Sequence, residues 1–189
     1  MVIFLGTLIA WGDSHIPYRA DKIPDEFIKF IKNMDLDKLI CTGDLVRIDV
    51  LKTFEWISNK LVIVRGNMDE GDAERHPLFQ SFRYEGLNFL VYHGHRVYPR
   101  GDPEKLYKIS KKRGAEVLIT GHTHTPTIRK FRDLLIINPG SICGVWGGAG
   151  GYGRPTWGLI NVSERRVKVK IYEIAGGGIV LHDEADFEL

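Results

Sequence analysis

The sequence predicts an α/β domain in which two packed sheets carry helices on their outer faces, and three observations lead there. Strand-like and helix-like segments alternate as β-α-β-α-β up to about residue 64. Beyond residue 82 strand-like runs dominate, which one doubly wound sheet would not produce. Five of the apolar runs are followed by short polar clusters, as expected where strands of a parallel layer end along one edge.

Thr7 to Trp11 is apolar without a helical stripe and predicts a buried strand. A helix is predicted from about Pro24 to Asn33. Pro24 suits its first turn, Asp25 and Glu26 complement the positive end of its dipole, and Phe27, Phe30, Ile31 and Met34 share one face. Lys38 to Cys41 is the second strand. Asp49 can cap a second helix that turns Val50, Leu51, Phe54 and Ile57 to the core, and Leu61 to Val64 is the third strand. Phe82 to Glu85 and Leu87 to Tyr92 predict a hairpin. Asp102-Pro103 opens a helix ending near Gly114, with Asp at the cap and Pro in the first turn. Strands follow at Val117 to Thr120, Thr127 to Phe131, Leu134 to Ile137, Thr156 to Val162 and Arg166 to Ile174. Gly144 to Gly153 predicts a loop that serves as a lid, a substrate rim or a subunit contact. No linker or repeat divides the chain. The expectation is one domain over residues 1–189, with its core at about 7–174 and a loose tail or edge strand after Gly176.

The 189 residues suffice for a sizeable core, and 43% hydrophobic with 26% charged residues is ordinary for a globular protein. A net charge of +2 gives no footprint for nucleic acid or an acidic membrane. The basic stretch Arg165 to Lys170 alternates with Val167, Val169 and Ile171, as a half-buried strand does. Cys41 and Cys143 are too few and too far apart for a disulfide framework or a CxxC metal site, which fits a reducing cytoplasm. The first twelve residues lack a basic leading segment and are too short to span a bilayer, so they are expected to begin the first core strand.

The chemistry lies in the clusters Asp13-Ser14-His15, Gly43-Asp44, Gly66-Asn67-Met68-Asp69, His93-Gly94-His95 and Gly121-His122-Thr123-His124. Each alone has an ordinary reading as a turn or surface loop. Five of the seven histidines fall in these clusters, and all five clusters would meet at one edge. In extended chain, residues two apart point the same way, so Asp13 with His15 and His122 with His124 are expected to address a site as pairs. Oxygen and nitrogen donors without thiolate suit manganese, iron, cobalt, nickel or zinc better than magnesium or calcium.

Gly12-Asp13-Ser14-His15, Thr42-Gly43-Asp44, Val64-Arg65-Gly66-Asn67, His93-Gly94-His95, Gly121-His122-Thr123-His124 and Asn138-Pro139-Gly140-Ser141 together resemble the motif series of the calcineurin-like metallophosphoesterases. The likeness is greatest to the small, cap-less bacterial and archaeal phosphodiesterases of that superfamily, which also holds the retromer subunit of the same fold. The resemblance implies a four-layer α/β/β/α sandwich of two mixed sheets with a metal site at one end. It implies one metal on Asp13, His15, Asp44 and His124 and a second on Asp44, Asn67, His93 and His122. Manganese is the first expectation for both metals. It further implies a dinuclear phosphoesterase that cleaves phosphodiesters by in-line attack of a metal-bridging hydroxide. A phosphomonoesterase and a protein-binding scaffold of the same fold are the alternatives.

Many relatives carry a proton-donating His directly after the metal-binding Asn, where this chain has Met68, and a thioether has no proton to give. His95 is a candidate substitute donor, or it hydrogen-bonds its own loop. Asp69 is a candidate to orient a ligand or solvent. Asn138-Pro139-Gly140-Ser141 either shapes the pocket floor or is a plain turn. The expected partner is a phosphate ester, with neither membrane nor specific nucleic-acid binding. Relatives often pair as homodimers, so the resemblance also admits a dimer.

Overall fold

The structure, a computed structural model, describes residues 6–189. The start of the apolar leader, residues 1–5, therefore lies outside the described residues. Two mixed sheets stack face to face. The first has the order β11-β10-β9-β1-β2-β3 and the second β4-β5-β6-β8-β7. In the first, β1 (Gly6–Trp11), β2 (Lys38–Cys41) and β3 (Leu61–Ile63) run parallel. β9 (Thr156–Ser163), β10 (Arg166–Ala175) and β11 (Gly178–Glu188) extend it as an antiparallel meander. In the second, β5 (Leu87–Tyr92), β6 (Val117–Thr120) and β8 (Leu134–Asn138) are parallel, edged by antiparallel β4 (Phe79–Tyr84) and β7 (Thr127–Phe131).

The period of two along each strand sorts the side chains into layers. Leu8 and Ala10 of β1 face the inter-sheet core with Ile40, Val91, Ile119 and Ile137. Ile9 and Trp11 face outward, onto helix α1 (Asp25–Lys32) and residues 48–60. There Phe54 and Phe27 lie 4.7 and 6.3 Å from Trp11, and Phe27 meets Trp157 edge-on at 5.3 Å. Burying one such ring stabilises the fold by about 1.5–3 kcal/mol. Helix α2 (Pro103–Lys111) covers the second sheet with Leu106. The order is thus helix, sheet, sheet, helix.

The α1 and α2 expectations hold to within a turn. Asp102 caps α2 by accepting from the Lys105 amide at 3.0 Å. Residues 48–60 differ from the expected α-helix. They form a broken 3₁₀ segment whose backbone leaves helical geometry at Phe54 and Ile57. Asp49 makes no cap and pairs instead with Lys52 at 2.6 Å. The buried residues Val50, Phe54 and Ile57 are spaced four and three apart, and the local turns direct each of them inward. Of the two expectations for the C-terminus, the edge strand is observed: β11 pairs along β10 through a Gly176-Gly177 turn with both φ positive, as a two-residue hairpin requires. No described helix is long and apolar enough to cross a membrane.

The functional consequence is directional. β1, β2 and β3 end at one edge, in register at Trp11, Cys41 and Ile63. In the second sheet Tyr92 aligns with Thr120, and Ile119 with Ile137. The loops after these strands carry every polar cluster identified in the sequence.

Candidate metal centre

Short main-chain bonds tie these loops together across the sheet edge. The Asp13 amide donates to Gly43 O at 2.9 Å and the His15 amide to Asp44 O at 3.0 Å, while Gly121 donates to His93 O at 3.0 Å. Asp13, His15, Asp44, His122 and His124 all adopt left-handed backbone, with φ of 51, 50, 55, 70 and 57°. Non-glycine residues avoid that region, and each such residue costs on the order of 1–3 kcal/mol. The sequence expectation that the Asp13/His15 and His122/His124 pairs converge by extended alternation is therefore corrected. They converge because tight left-handed turns at the strand ends swing them inward.

Two glycines make the approach close. A Cβ on Gly66 would fall 2.0 Å from Asp44 Oδ1, and one on Gly121 would fall 2.7 Å from Asp13 Oδ2. Bare backbone is what lets loops of different strands touch these carboxylates.

The side chains fall into two groups that share one residue. Asp13, His15, Asp44 and His124 form the first, and Asp44, His93 and His122 the second. Within each group the candidate donor atoms lie within 4.8 Å of one another. Asp44 Oδ2 is 3.3 Å from His15 Nε2 and 3.4 Å from His93 Nε2. Asp13 Oδ1 is 3.2 Å from His124 Nε2, which is itself 3.1 Å from His15 Nε2. Asn67 is exposed and lines the cleft over the groups, a small cavity of about 80 Å³ shared with His15, His122 and His124.

The hydrogen bonds select which imidazole nitrogen faces inward. His93 Nδ1 donates to Thr42 O at 2.8 Å, and His124 Nδ1 donates to Val145 O at 2.7 Å, since a carbonyl can only accept. Both rings are thereby oriented with Nε2 toward a carboxylate. His93 Nε2 is buried and has no hydrogen-bond partner. Ring nitrogens and carboxylates gathered this closely suit a cation, and the donor set suits a borderline divalent one. The residues present fit the metal that the motifs imply.

Without metal, the electrostatics state the same demand in protons. Burial pulls the His93 imidazole down, but the Asp44 carboxylate, with Asp13 behind it, outweighs this and raises it to about 9. Burial pushes the Asp44 carboxyl up, and His93, the Met68 amide and His15 overcome that to hold it well below the usual carboxylate range. Burial dominates at His15 and His122, each lowered to about 4.

Asp69 and His95 stand behind the centre rather than in it, and neither lines the cleft. Asp69 Oδ2 accepts from the amides of Gly66 at 2.7 Å and Asp44 at 3.2 Å, and Oδ1 from Val46 at 2.9 Å. Its carboxylate braces two ligand loops. His95 is half-buried, its ring centroid 5.4 Å from that of His93, and burial with the neighbouring His93 lowers it to about 4.

Asn138-Pro139-Gly140-Ser141 is more than a turn. Ser141 Oγ donates to Asp13 O at 2.8 Å, and Asn138 Nδ2 donates to Gly121 O at 2.9 Å. Sequence reasoning missed Arg19 and Arg100, which also line the cleft. The Gly144 to Gly153 loop lies over His124, where a Cβ on Gly147 would stand 2.7 Å from the ring, and Gly147 and Gly148 line the cleft.

A family model described as the calcineurin-like phosphoesterase superfamily domain matches residues 7–164. A protein described as "Probable metallophosphoesterase" in Methanothermobacter thermautotrophicus is 38% identical over 130 residues, 69% of this chain and 73% of that one. A second protein with that description, from Methanocaldococcus jannaschii, is 39% identical over 130 residues, 69% of this chain and 65% of its own length. Among solved structures, vacuolar protein sorting 29 from Cryptosporidium parvum superposes with a TM-score of 0.89 at 21% identity, over 97% of this chain and 98% of that one. That likeness speaks to the fold alone.

Proposed function

The chain belongs to the calcineurin-like phosphoesterase superfamily, and from that premise we propose that it is a phosphodiesterase working with two divalent metal ions. The observation that carries the reading is the position of Asp44. One carboxylate oxygen faces imidazoles of both groups at 3.3 and 3.4 Å, as a shared ligand must. In this reading Asp13, His15, Asp44 and His124 hold one ion. Asp44, Asn67, His93 and His122 would hold the other, the Asn67 amide oxygen joining the two imidazoles as a neutral donor. Manganese is the first candidate, with nickel, cobalt, iron and zinc behind it. The bound pair supplies an activated water and positive charge against the phosphate oxygens.

The chain's own residues orient and exclude. Thr42 O and Val145 O fix the imidazole tautomers. The Met68 amide donates to Asp44 Oδ1 at 2.8 Å, while its thioether has no proton to give in the cleft that Met68 lines. Esters whose leaving group departs as a stable anion are therefore the better substrates. Two free thiols, Cys41 and Cys143, support a reducing, cytoplasmic setting.

The test pairs metal content with hydrolysis of bis(p-nitrophenyl) phosphate by the parent and by Asp44→Ala. The expected result is two equivalents of metal with turnover in the parent, and loss of both in the variant with the fold kept. Metal binding without turnover of any phosphate ester would favour the alternative, a binding scaffold of the same fold.

A further inference from the structure

Two guanidiniums, Arg19 and Arg100, line the cleft beside the metal ligands. Arg19 lies one turn after His15, its amide bonded to His15 O at 2.9 Å. Arg100 precedes Gly101, where a Cβ would fall 3.1 Å from the Thr123 methyl, so this stretch lies against the loop of His122 and His124. The two arginines thus stand beside two of the five loops that carry candidate ligands.

Several arginines elsewhere in the fold are neutralised by ion pairs. Arg132, Arg154 and Arg166 each pair with a carboxylate at 2.8, 2.9 and 2.8 Å. Among the described residues Arg19 and Arg100 have no carboxylate partner. Each donates to a neutral carbonyl of the glycine-rich loop, Arg19 Nη1 to Trp146 O at 2.7 Å and Arg100 Nη1 to Gly147 O. The Arg19 guanidinium also stacks over the Trp146 ring at 4.4 Å. Both charges are held in place at the mouth of an anion-processing cleft, with their stronger acceptor still to come.

Met68 adds the second constraint. It lines the same cleft and cannot protonate a departing alkoxide. A departing phosphate needs no such proton, but it carries charge that must be met by cations.

We propose that Arg19 and Arg100 grip the second phosphate of a diphosphate-bridged diester, so that the linkage cut at this site is the P–O–P bridge between two esterified phosphates. This rests on the phosphoesterase reading above and names its substrate class. Water adds its oxygen to the attacked phosphorus and the bridging P–O bond to that phosphorus breaks. The bond's electron pair leaves on the second phosphate, which departs as an anion against the two guanidiniums. The products are two phosphate monoesters, and the water's protons pass to them or to solvent.

The experiment compares a symmetric dinucleoside diphosphate with bis(p-nitrophenyl) phosphate as substrates of the parent, Arg19→Ala, Arg100→Ala and the two Lys variants. Calorimetry of inorganic pyrophosphate against inorganic phosphate, on metal-loaded protein freed of unbound metal, runs beside it. Each Ala substitution is expected to lower kcat/KM for the diphosphate by about 10- to 100-fold, the loss of a charge-assisted contact, and for the single-phosphate diester by less than threefold or so. The Lys variants should recover part of the preference, and the parent should bind pyrophosphate at least about tenfold tighter than phosphate. Equal losses on both substrates, or equal binding of the two anions, overturns the proposal. A parent that binds pyrophosphate preferentially through these arginines yet hydrolyses neither ester overturns the phosphoesterase reading and keeps the clamp.

Discussion

Gly66→Ala isolates the geometry of the shared carboxylate from its chemistry. No ligand is removed, and Gly66 is not among the positive-φ glycines, so the substitution acts through space alone. The new Cβ would stand 2.0 Å from Asp44 Oδ1 and 2.5 Å from the Asp44 amide nitrogen. Ordinary contact begins at 3.4 Å, so the carboxylate must retreat by 3.4 − 2.0, about 1.4 Å, or the two loops must part. Metal–ligand distances tolerate only about 0.2 Å. Overpacking of this kind costs about 1–3 kcal/mol of stability. The Met68 to Asp44 bond at 2.8 Å and the Gly66 to Asp69 bond at 2.7 Å are strained with it. Metal affinity should fall by at least the roughly 10- to 100-fold that follows loss of a supporting contact, because here a ligand itself is displaced. The assay is metal titration by calorimetry with thermal unfolding of the metal-free protein. Gly178→Ala is the control, since a Cβ there meets nothing within 4 Å. A Gly66→Ala protein that binds two metals at parental affinity would refute the claim that the carboxylate is locked against this loop.

In the metal-free protein His93 is raised to about 9, so metal must displace its proton, and apparent affinity should rise about tenfold per pH unit below that value. A flat affinity profile between pH 6 and 8 would contradict it. The raised His93 contributes stability that is full below its unfolded value of 6.5 and lost as pH rises through about 9. His15 and His122, lowered to about 4, contribute stability that is full above 6.5 and lost as pH falls through about 4. From these three groups, unfolding titrations should find the metal-free protein most stable near pH 6.5. Ser141→Ala removes the donor to Asp13 O and the acceptor of the Val145 amide, and should weaken metal binding about tenfold at a smaller cost in metal-free stability, about 1–3 kcal/mol. Phe27→Ala should do the reverse, costing about 3–5 kcal/mol in denaturant unfolding with two metals still bound, because its ring packs between Trp11 and Trp157 on the outer face.

Much of this was legible before the coordinates. The strand periods of two and the α1 stripe Phe27 and Ile31 are local signals, and local burial obeys them. The candidate ligand residues were legible because chemistry restricts which side chains can serve, and their clusters end apolar runs. Residues 48–60 were not, since a stripe spaced four and three serves an α-helix and a kinked 3₁₀ segment equally. The left-handed turns at Asp13, His15, Asp44, His122 and His124 leave no mark on a sequence that shows non-glycine residues there. Arg19, Arg100 and Ser141 act through contacts spanning 127, 47 and 128 residues, beyond any local pattern. Asp69 was visible as a carboxylate near the site, but only its three amide partners show that it braces loops.

In the proposed function Asp44 is shared by two ions. Anomalous scattering from crystals of manganese-loaded protein tests it most directly. Two peaks are expected about 3.5–4 Å apart, one on each side of the Asp44 carboxylate, between His15 and His124 on one hand and His93 and His122 on the other. A single peak, or metal seated away from Asp44, would contradict it.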